Sequence, residues 1–318
     1  MPAIISKAPG KTILFGEHAV VYGCPAIAVP IEAVQVKVTI LPVIKGSQSI
    51  IKIRNFQRFE DIPFADLEKN NPIRVPIENI FSQIGGKPPL FEMTISSTIP
   101  IAAGLGSSAA LAVAITKGVS QFLGIQLSLD KINSLALQSE IIQHGSPSGI
   151  DNSVIAIGKP IYFLKNSPIV IIEIPNSLNL ILGDTGKRTL TRNVVQEVRH
   201  FLDTEPTIVQ PILEKIGKIT DNGLNALRSG NLEEVGELMT QNHKALKELK
   251  VSSPDLDRLV DSAMKNGALG AKLCGGGKGG YMVTLCESNT LEKISVGLKS
   301  AGAENLIQTS INASLSKE

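Results

Sequence analysis

The sequence predicts an α+β chain of two domains, and three observations carry that expectation. Its 318 residues suit two domains at roughly 100–200 residues each. In the first half, runs rich in Ile, Val and Thr alternate with a few helix-like stretches, whereas long helical patterns framed by strands dominate the second half. A turn at Pro175-Asn176 separates two strand-like runs, which sets an N-terminal domain over 1–175 and a C-terminal domain over 176–318. This segregation favours α+β over an open doubly wound sheet.

The elements follow in order. Residues 33–41 and 91–99 read as strands because of their β-branched content. Residues 107–123 read as a helix ending near Gly124. A second helix spans 129–143, with Ser128 as N-cap and Gly145 as the stop. Strands are expected at 153–157, 161–164 and 169–174. In the second half, helices are expected near 190–203, 207–229, 231–249, 254–266 and 289–301, framed by strands near 178–183, 269–273, 280–286 and 304–311.

Composition narrows the function classes. With 43% hydrophobic and 19% charged residues, the chain can bury an ordinary globular core. A net charge of +2 gives no reason to expect nucleic acid or a membrane surface as partner. There is no Trp and only 4% of residues are aromatic, which argues against base-stacking platforms. The cysteines, Cys24, Cys274 and Cys286, are odd in number and share no C-x-x-C spacing, as expected of reduced thiols in a cytoplasm. The four histidines form no H-x-x-x-H pair, so no zinc site is expected. The N-terminus lacks a signal-peptide pattern, and no apolar run approaches the roughly 18 residues of a membrane span.

The stretch Pro100-Ile-Ala-Ala-Gly-Leu-Gly-Ser-Ser-Ala-Ala-Leu111 carries the most chemistry. Gly104 and Gly106 allow a turning backbone to aim successive N–H groups into one concavity. A helix opening at Ser107 or Ser108 adds its unpaired N–H groups and the positive end of its dipole, which makes an anion site suited to phosphate. Either serine could cap the helix, and its hydroxyl could reach a phosphate-held metal. A plain loop with an N-cap would read the same way. The stretch is neither a Walker A loop nor a Rossmann fingerprint. Ile5 stands five before Gly10-Lys11-Thr12, and no acidic residue follows Gly104 and Gly106 at about twenty positions.

Four other features could complete a phosphoryl-transfer site. Ala8-Pro9-Gly10-Lys11 through Gly16-Glu17-His18 to Gly23 reads as a tightly turned segment holding a cation and an anion, or as an exposed loop with a surface lysine. Ile132, Ala136 and Glu140 recur at i, i+4 and i+8, so Glu140 shares a helix face with residues that should be buried. It sits either at the margin of that face or in a cleft with a cation. Asp151 ends a Gly- and Ser-rich loop; Ser148-x-x-Asp151 imitates a capping box, and a carboxylate there could equally take a proton from a hydroxyl nucleophile. Gly275-Gly-Gly-Lys278-Gly-Gly280 lies between two strands and would let backbone press on a ligand, unless it is a flexible hairpin. A phosphate cradle, a cation, magnesium ligands and a residue positioning the attacking hydroxyl are what phosphoryl transfer requires.

At these residues the chain resembles the GHMP kinase superfamily. It keeps the order of three motifs, Ala8 to Gly23, Pro100 to Ala110 and Lys272 to Gly280, over almost its whole length. The segment from Glu140 to Asp151, and Gly183-Asp184-Thr185-Gly186 with Thr189 or Thr191, are most similar to those members that act on mevalonate. The resemblance implies two α+β domains with the active site in the cleft between them, Mg2+ as cofactor, ATP and mevalonate as partners, and a homodimer as one assembly the family uses. It implies roles too. Ser97, Gly104, Leu105, Gly106, Ser107 and Ser108 would line the nucleotide site. Ser108 and Glu140 would hold magnesium. Asp151 would take the proton of the substrate's primary hydroxyl, and Lys11 would lower that hydroxyl's pKa and offset transition-state charge. Glu17 would support Lys11, and Glu17, His18, Ser148 and Thr185 would form the substrate side. Sibling kinases acting on phosphomevalonate or a sugar, an ATP-dependent decarboxylase of mevalonate derivatives and a non-catalytic ligand sensor are the rival readings. Two positions depart from the family. Cys274 stands where a Thr or Ser usually precedes the third glycine loop, and Lys278 occupies a place that is usually small. A lysine there either adds a charge-assisted bond in the site or faces solvent, and solvent is the expectation because Lys11 already supplies a cation.

Overall fold

The computed structural model describes residues 3–43, 46, 48–55, 58–83, 88–101, 103–144 and 147–314. The chain divides into two units. One comprises residues 1–10, 34–101 and 106–158; the other comprises 11–33, 102–105 and 159–318.

Two long strands, β1 (Ile4–Phe15) and β2 (Ala26–Pro42), each pass through both units. In the first unit β2 alternates buried and exposed residues from Val34 to Leu41, as a strand with one covered face should. This half of β2 pairs antiparallel with β5, from Val36↔Ser97 to Pro42↔Phe91. The hairpin of β3 (Ile50–Asn55) and β4 (Arg58–Pro63) adds to the far edge of β5 (Phe91–Ser97), giving the order β4-β3-β5-β2. Helices α1 (Arg74–Phe81), α2 (Ser107–Phe122), α3 (Leu129–His144) and α4 (Ile150–Ile157) pack on one another. Phe64, Phe81 and Phe122 all meet Phe91 edge to face beneath them. Small side chains on α2, Ala109 to Ala114, let α3 and α4 approach closely.

In the second unit the first half of β2 pairs with β6 (Ile161–Phe163), which carries the short β7 (Val170–Ile171). A four-stranded antiparallel sheet follows. Its order is β11-β8-β10-β9, from β8 (Leu178–Asp184), β9 (Gly270–Leu273), β10 (Tyr281–Cys286) and β11 (Leu306–Ile311). Helices α5 (Thr191–Thr204), α6 (Pro206–Ser229), α7 (Leu232–Glu248), α8 (Pro254–Lys265) and α9 (Leu291–Ser300) close a core that includes Val198, Leu213, Ile216, Leu246, Leu259, Met282 and Leu298. Among the described residues, no helix is long and apolar enough to cross a membrane.

Several expectations are corrected. Residues 153–157 form part of α4, not a strand. The apolar run Val154-Ile155-Ala156 is buried throughout, so no periodicity distinguishes helix from strand, and left-handed Gly149 and Gly158 bracket two helical turns. Ala8–Phe15 is extended in β1, and the turn starts only at Gly16. Strand β2 begins at Ala26, earlier than expected, because its first half is uniformly buried and shows no alternation. Strand β6 pairs onto β2, and β7 onto β6, within the second unit. Ser128 does cap α3, accepting from the Lys131 N–H at 3.2 Å. Gly145 lies outside the described residues.

Candidate active site

Three helices of the first unit carry Ser107, Ser108, Glu140 and Asp151. Gly106 is the N-cap of α2 and takes a left-handed conformation (φ 75°) that a side chain would disfavour. Neither Ser107 nor Ser108 is the N-cap; they occupy the first two helical positions, and the first bond within the helix runs from the Ala110 N–H to the Gly106 carbonyl at 2.9 Å. N–H groups ahead of Ala110 therefore have no acceptor inside the helix, as an anion site requires. With its hydroxyl released from capping, Ser108 donates to Glu140 Oε1 at 2.5 Å. Glu140 is only 6% exposed and Ala136 is fully buried, so the carboxylate sits inside the helix face and not at its margin. A buried carboxylate beside a hydroxyl is an all-oxygen donor set, the kind magnesium takes alongside phosphate oxygens and water. The pair fits that ion.

Asp151 is the second residue of α4, in its first turn, where the helix dipole favours a carboxylate. Gly149 is the N-cap, so the Ser148-x-x-Asp151 capping box is not formed; Ser148 instead accepts from the Ile150 N–H at 3.4 Å. Ser97 closes β5, and its hydroxyl accepts from the Ile99 N–H at 3.2 Å.

In the second unit, Lys11 is 3% exposed within β1, which excludes a surface lysine. Its N–H donates to the carbonyl of Leu105 at 3.0 Å, joining β1 to the turn that holds Gly104. Beyond β1, Gly16-Glu17-His18 turns with His18 at a positive φ of 60°. Glu17 is buried and forms an ion pair with Lys272 of β9, while Asn242 of α7 donates to its other oxygen at 3.0 Å. Burial pulls the His18 imidazole down to about 4, so the ring is neutral near pH 7. Its Nε2 faces the Gly276 carbonyl at 2.9 Å and must therefore carry the proton, leaving Nδ1 as an acceptor. The neighbouring His243 is also drawn down to about 4 by burial. Its Nδ1 accepts from the Leu273 N–H at 3.3 Å, and its Nε2 lies 3.2 Å from Asp257.

The glycine loop from Gly275 to Gly280 is anchored, not loose. The Lys278 N–H donates to Val251 at 2.8 Å and the Gly280 N–H to Lys187 at 2.7 Å. Thr185 donates to the Gly280 carbonyl at 2.8 Å, and Thr189 to that of Lys278 at 3.1 Å. A Cβ on Gly275 would stand 3.2 Å from the Cα of Gly104, and one on Gly276 would stand 3.0 Å from the Thr191 hydroxyl. These glycines first answer the close approach of the protein's own backbone. Cys274, at the head of the loop, is buried, and burial pushes its thiol up to about 11. Lys278 pairs with Glu197 of α5 at the surface, in line with the solvent-facing expectation. Asp184, fully buried before Thr185, is held by a bidentate contact from Arg188 at 2.7 Å and by the Gly186 N–H at 2.9 Å.

The structure thus brings together Ser108 with Glu140, Lys11 with Leu105, and His18 and Thr185 with the third loop. Sequence reasoning assigned no role to Lys272 or Asn242. For Lys272 a signal existed, since a lysine within Gly270-Ala-Lys-Leu breaks a strand that is otherwise wholly apolar.

Comparison with known proteins identifies the family of the chain. The GHMP kinases N terminal domain matches residues 72–159 and the GHMP kinases C terminal domain matches residues 224–304. A mevalonate kinase of Pyrococcus horikoshii is 37% identical over 96% of this chain and 94% of its own. One from Saccharolobus solfataricus is 32% identical over 88% of this chain and 89% of its own. Among solved structures, the Methanococcus jannaschii mevalonate kinase superposes with a TM-score of 0.85 at 29% identity, covering 98% of this chain and 99% of that one. The L. major mevalonate kinase in complex with R-mevalonate gives 0.82 at 28% identity, covering 99% and 97%. The chain belongs to the GHMP kinase family.

Proposed function

We propose that this protein is a mevalonate kinase, an ATP-dependent enzyme that transfers the γ-phosphoryl group of ATP to the 5-hydroxyl of mevalonate. The observation that carries this reading is the near full-length identity with proteins named mevalonate kinase, 37% over 96% of the chain in the P. horikoshii case. The chemistry of the residues supports it. Backbone N–H groups from Gly104 to Ser108 bind the phosphates of ATP, with Ser97 on the nucleotide side. Ser108 and Glu140 hold magnesium, which when bound neutralises charge on the phosphates and favours in-line transfer. Asp151 accepts the proton of the 5-hydroxyl as its oxygen attacks phosphorus. Lys11 favours the alkoxide and offsets charge on the transferred group. His18, neutral with an accepting Nδ1, and Glu17, Ser148 and Thr185 serve the substrate side. The buried thiols of Cys274 and Cys286 support a reducing, cytoplasmic setting.

The test is ADP release with mevalonate, phosphomevalonate, galactose and homoserine as acceptors. Mevalonate alone should give rapid turnover. A preference for another acceptor overturns the substrate, release of carbon dioxide from a mevalonate derivative points to a decarboxylase, and no ADP with any alcohol overturns the enzyme reading.

A further inference from the structure

Helices α2, α3 and α4 are pinned pairwise by polar side chains. Ser108 of α2 meets Glu140 of α3 at 2.5 Å. Asn133 of α3 accepts from Asn152 of α4 through Oδ1, while its Nδ2 donates to Ser153 of α4 at 3.1 Å. Ser153 in turn donates to the Gly149 carbonyl at 2.6 Å, at the N-cap of the same helix. Lys117 of α2 donates to the Ala156 carbonyl at 3.1 Å, at the C-terminal end of α4. The three contacts close a ring. On α3, Asn133 and Glu140 stand seven residues apart, two helical turns, and so share one face.

Helix α4 has only eight residues, too few to hold a fixed position by its own helicity. Its apolar residues, Val154 to Ala156, provide burial but little directional control. Direction comes from the amides. Asn152 is next to Asp151 and fully buried, yet its Oδ1 meets no donor among the described residues. A buried amide with an unpaired oxygen costs stability, so packing alone does not account for it. A partly buried lysine is likewise a costly way to end a short helix, and burial lowers the Lys117 ammonium pKa.

We propose that Asn133 is a positioning residue that acts through Asp151: from the same helix that presents Glu140, it fixes the N-terminal turn of α4 and thereby sets where the Asp151 carboxylate stands. The inference rests on the reading of Asp151 as proton acceptor. Proton transfer demands hydrogen-bond reach to the substrate hydroxyl, and displacement on the order of 1 Å costs about 100-fold in rate. The proposed phosphate cradle, Gly104 to Ser108, lies outside this turn.

The experiment compares Asn133→Leu, Asn133→Leu/Asn152→Leu and Asp151→Asn in kcat, KM for ATP and urea midpoint. Asn133→Leu should lower kcat by at least about tenfold while KM for ATP stays within about twofold. The double variant replaces both amides by apolar groups and should regain stability while remaining slow. Recovery of kcat together with stability, or a kcat for Asn133→Leu within threefold of the parent, overturns the positioning role, as long as Asp151→Asn is inactive. An active Asp151→Asn overturns the proton-acceptor reading itself, and the inference with it. Should the leucine variants not fold, Asn133→Ala tests the same contacts with a smaller change. It must lower kcat at least about fivefold at an unchanged KM for ATP, and an unaltered kcat overturns the proposal.

Discussion

A carboxylate in the first turn of α4 can be changed to an amide with almost no change in shape. Asp151→Asn removes the proposed proton acceptor and its charge together, so kcat should fall by about 10²–10⁴-fold. ATP affinity should stay within a few-fold, because the proposed phosphate cradle, Gly104 to Ser108, leads into α2 and not α4. Retention of more than about a tenth of the parent kcat would falsify the general-base role. Glu140 makes a second residue-scale case. Glu140→Gln should raise the magnesium concentration for half-maximal rate, since magnesium prefers anionic oxygen. Ser108→Ala should raise it less, as a neutral hydroxyl is the weaker ligand, and magnesium titrations unchanged from the parent in both variants would mean that ATP alone holds the ion. Glu140 was legible in the sequence because Ile132 and Ala136 fix its helix face, and both are buried. The ion pair of Glu17 with Lys272 was not, because its partners are 255 positions apart and no local pattern encodes the pairing. Asn133 and Asn152 look like ordinary helix residues until α3 and α4 are placed side by side.

Among the elements, the loop from Gly275 to Gly280 separates two reasons for glycine. A Cβ on Gly277 would run into the Val251 carbonyl, and its φ of 80° is left-handed. Gly277→Ala should therefore destabilise the fold by about 1–3 kcal/mol or more, read as a lower urea midpoint. An unchanged midpoint would show that the loop can shift away from Val251. Lys278 is the contrasting position. Its φ of 57° is also left-handed, but its side chain reaches out to Glu197 and is 35% exposed. A surface pair of this kind contributes about 0–1 kcal/mol. Lys278→Gly should leave kcat/KM within a few-fold and alter stability by no more than about 1 kcal/mol, because relief of the left-handed backbone offsets the freer unfolded chain. A kcat/KM loss beyond about tenfold would make Lys278 part of the site. The same scale marks the limits of sequence reading. Long amphipathic helices such as α6 and α8 declare themselves by period and by Pro at their starts. The two-turn α4 does not, because a short apolar run buried on every side has no period to read.

For the molecule as a whole, burial of histidine makes a prediction about acid stability. His18 and His243 each titrate near 4 in the folded protein, against an ordinary value near 6.5, and burial is the main cause in both. A folded pKa below the unfolded one means that the unfolded chain binds more protons between these values, so stability rises with pH across that window. The contribution is fully present above about pH 6.5 and is lost as pH falls from there through 4. Each shift corresponds to about 3 kcal/mol, enough for the pair to remove a large share of the 5–15 kcal/mol typical of a domain. Asp257, which lies against His243 and has its carboxyl held below the usual range chiefly by Lys247 and Ser252 against the opposing effect of burial, acts with the same sign at lower pH. Both imidazoles belong to the unit that also contains Lys272 and the third glycine loop, so acid should loosen that unit. Calorimetric unfolding near pH 5.3 in buffers of different ionisation enthalpy should register nearly two more protons taken up by the parent than by His18→Gln/His243→Gln. A difference below about half a proton would mean that the imidazoles are charged in the folded state. The bond from His18 to Gly276 would then hold an imidazolium, and the neutral acceptor assigned to Nδ1 on the substrate side would be withdrawn.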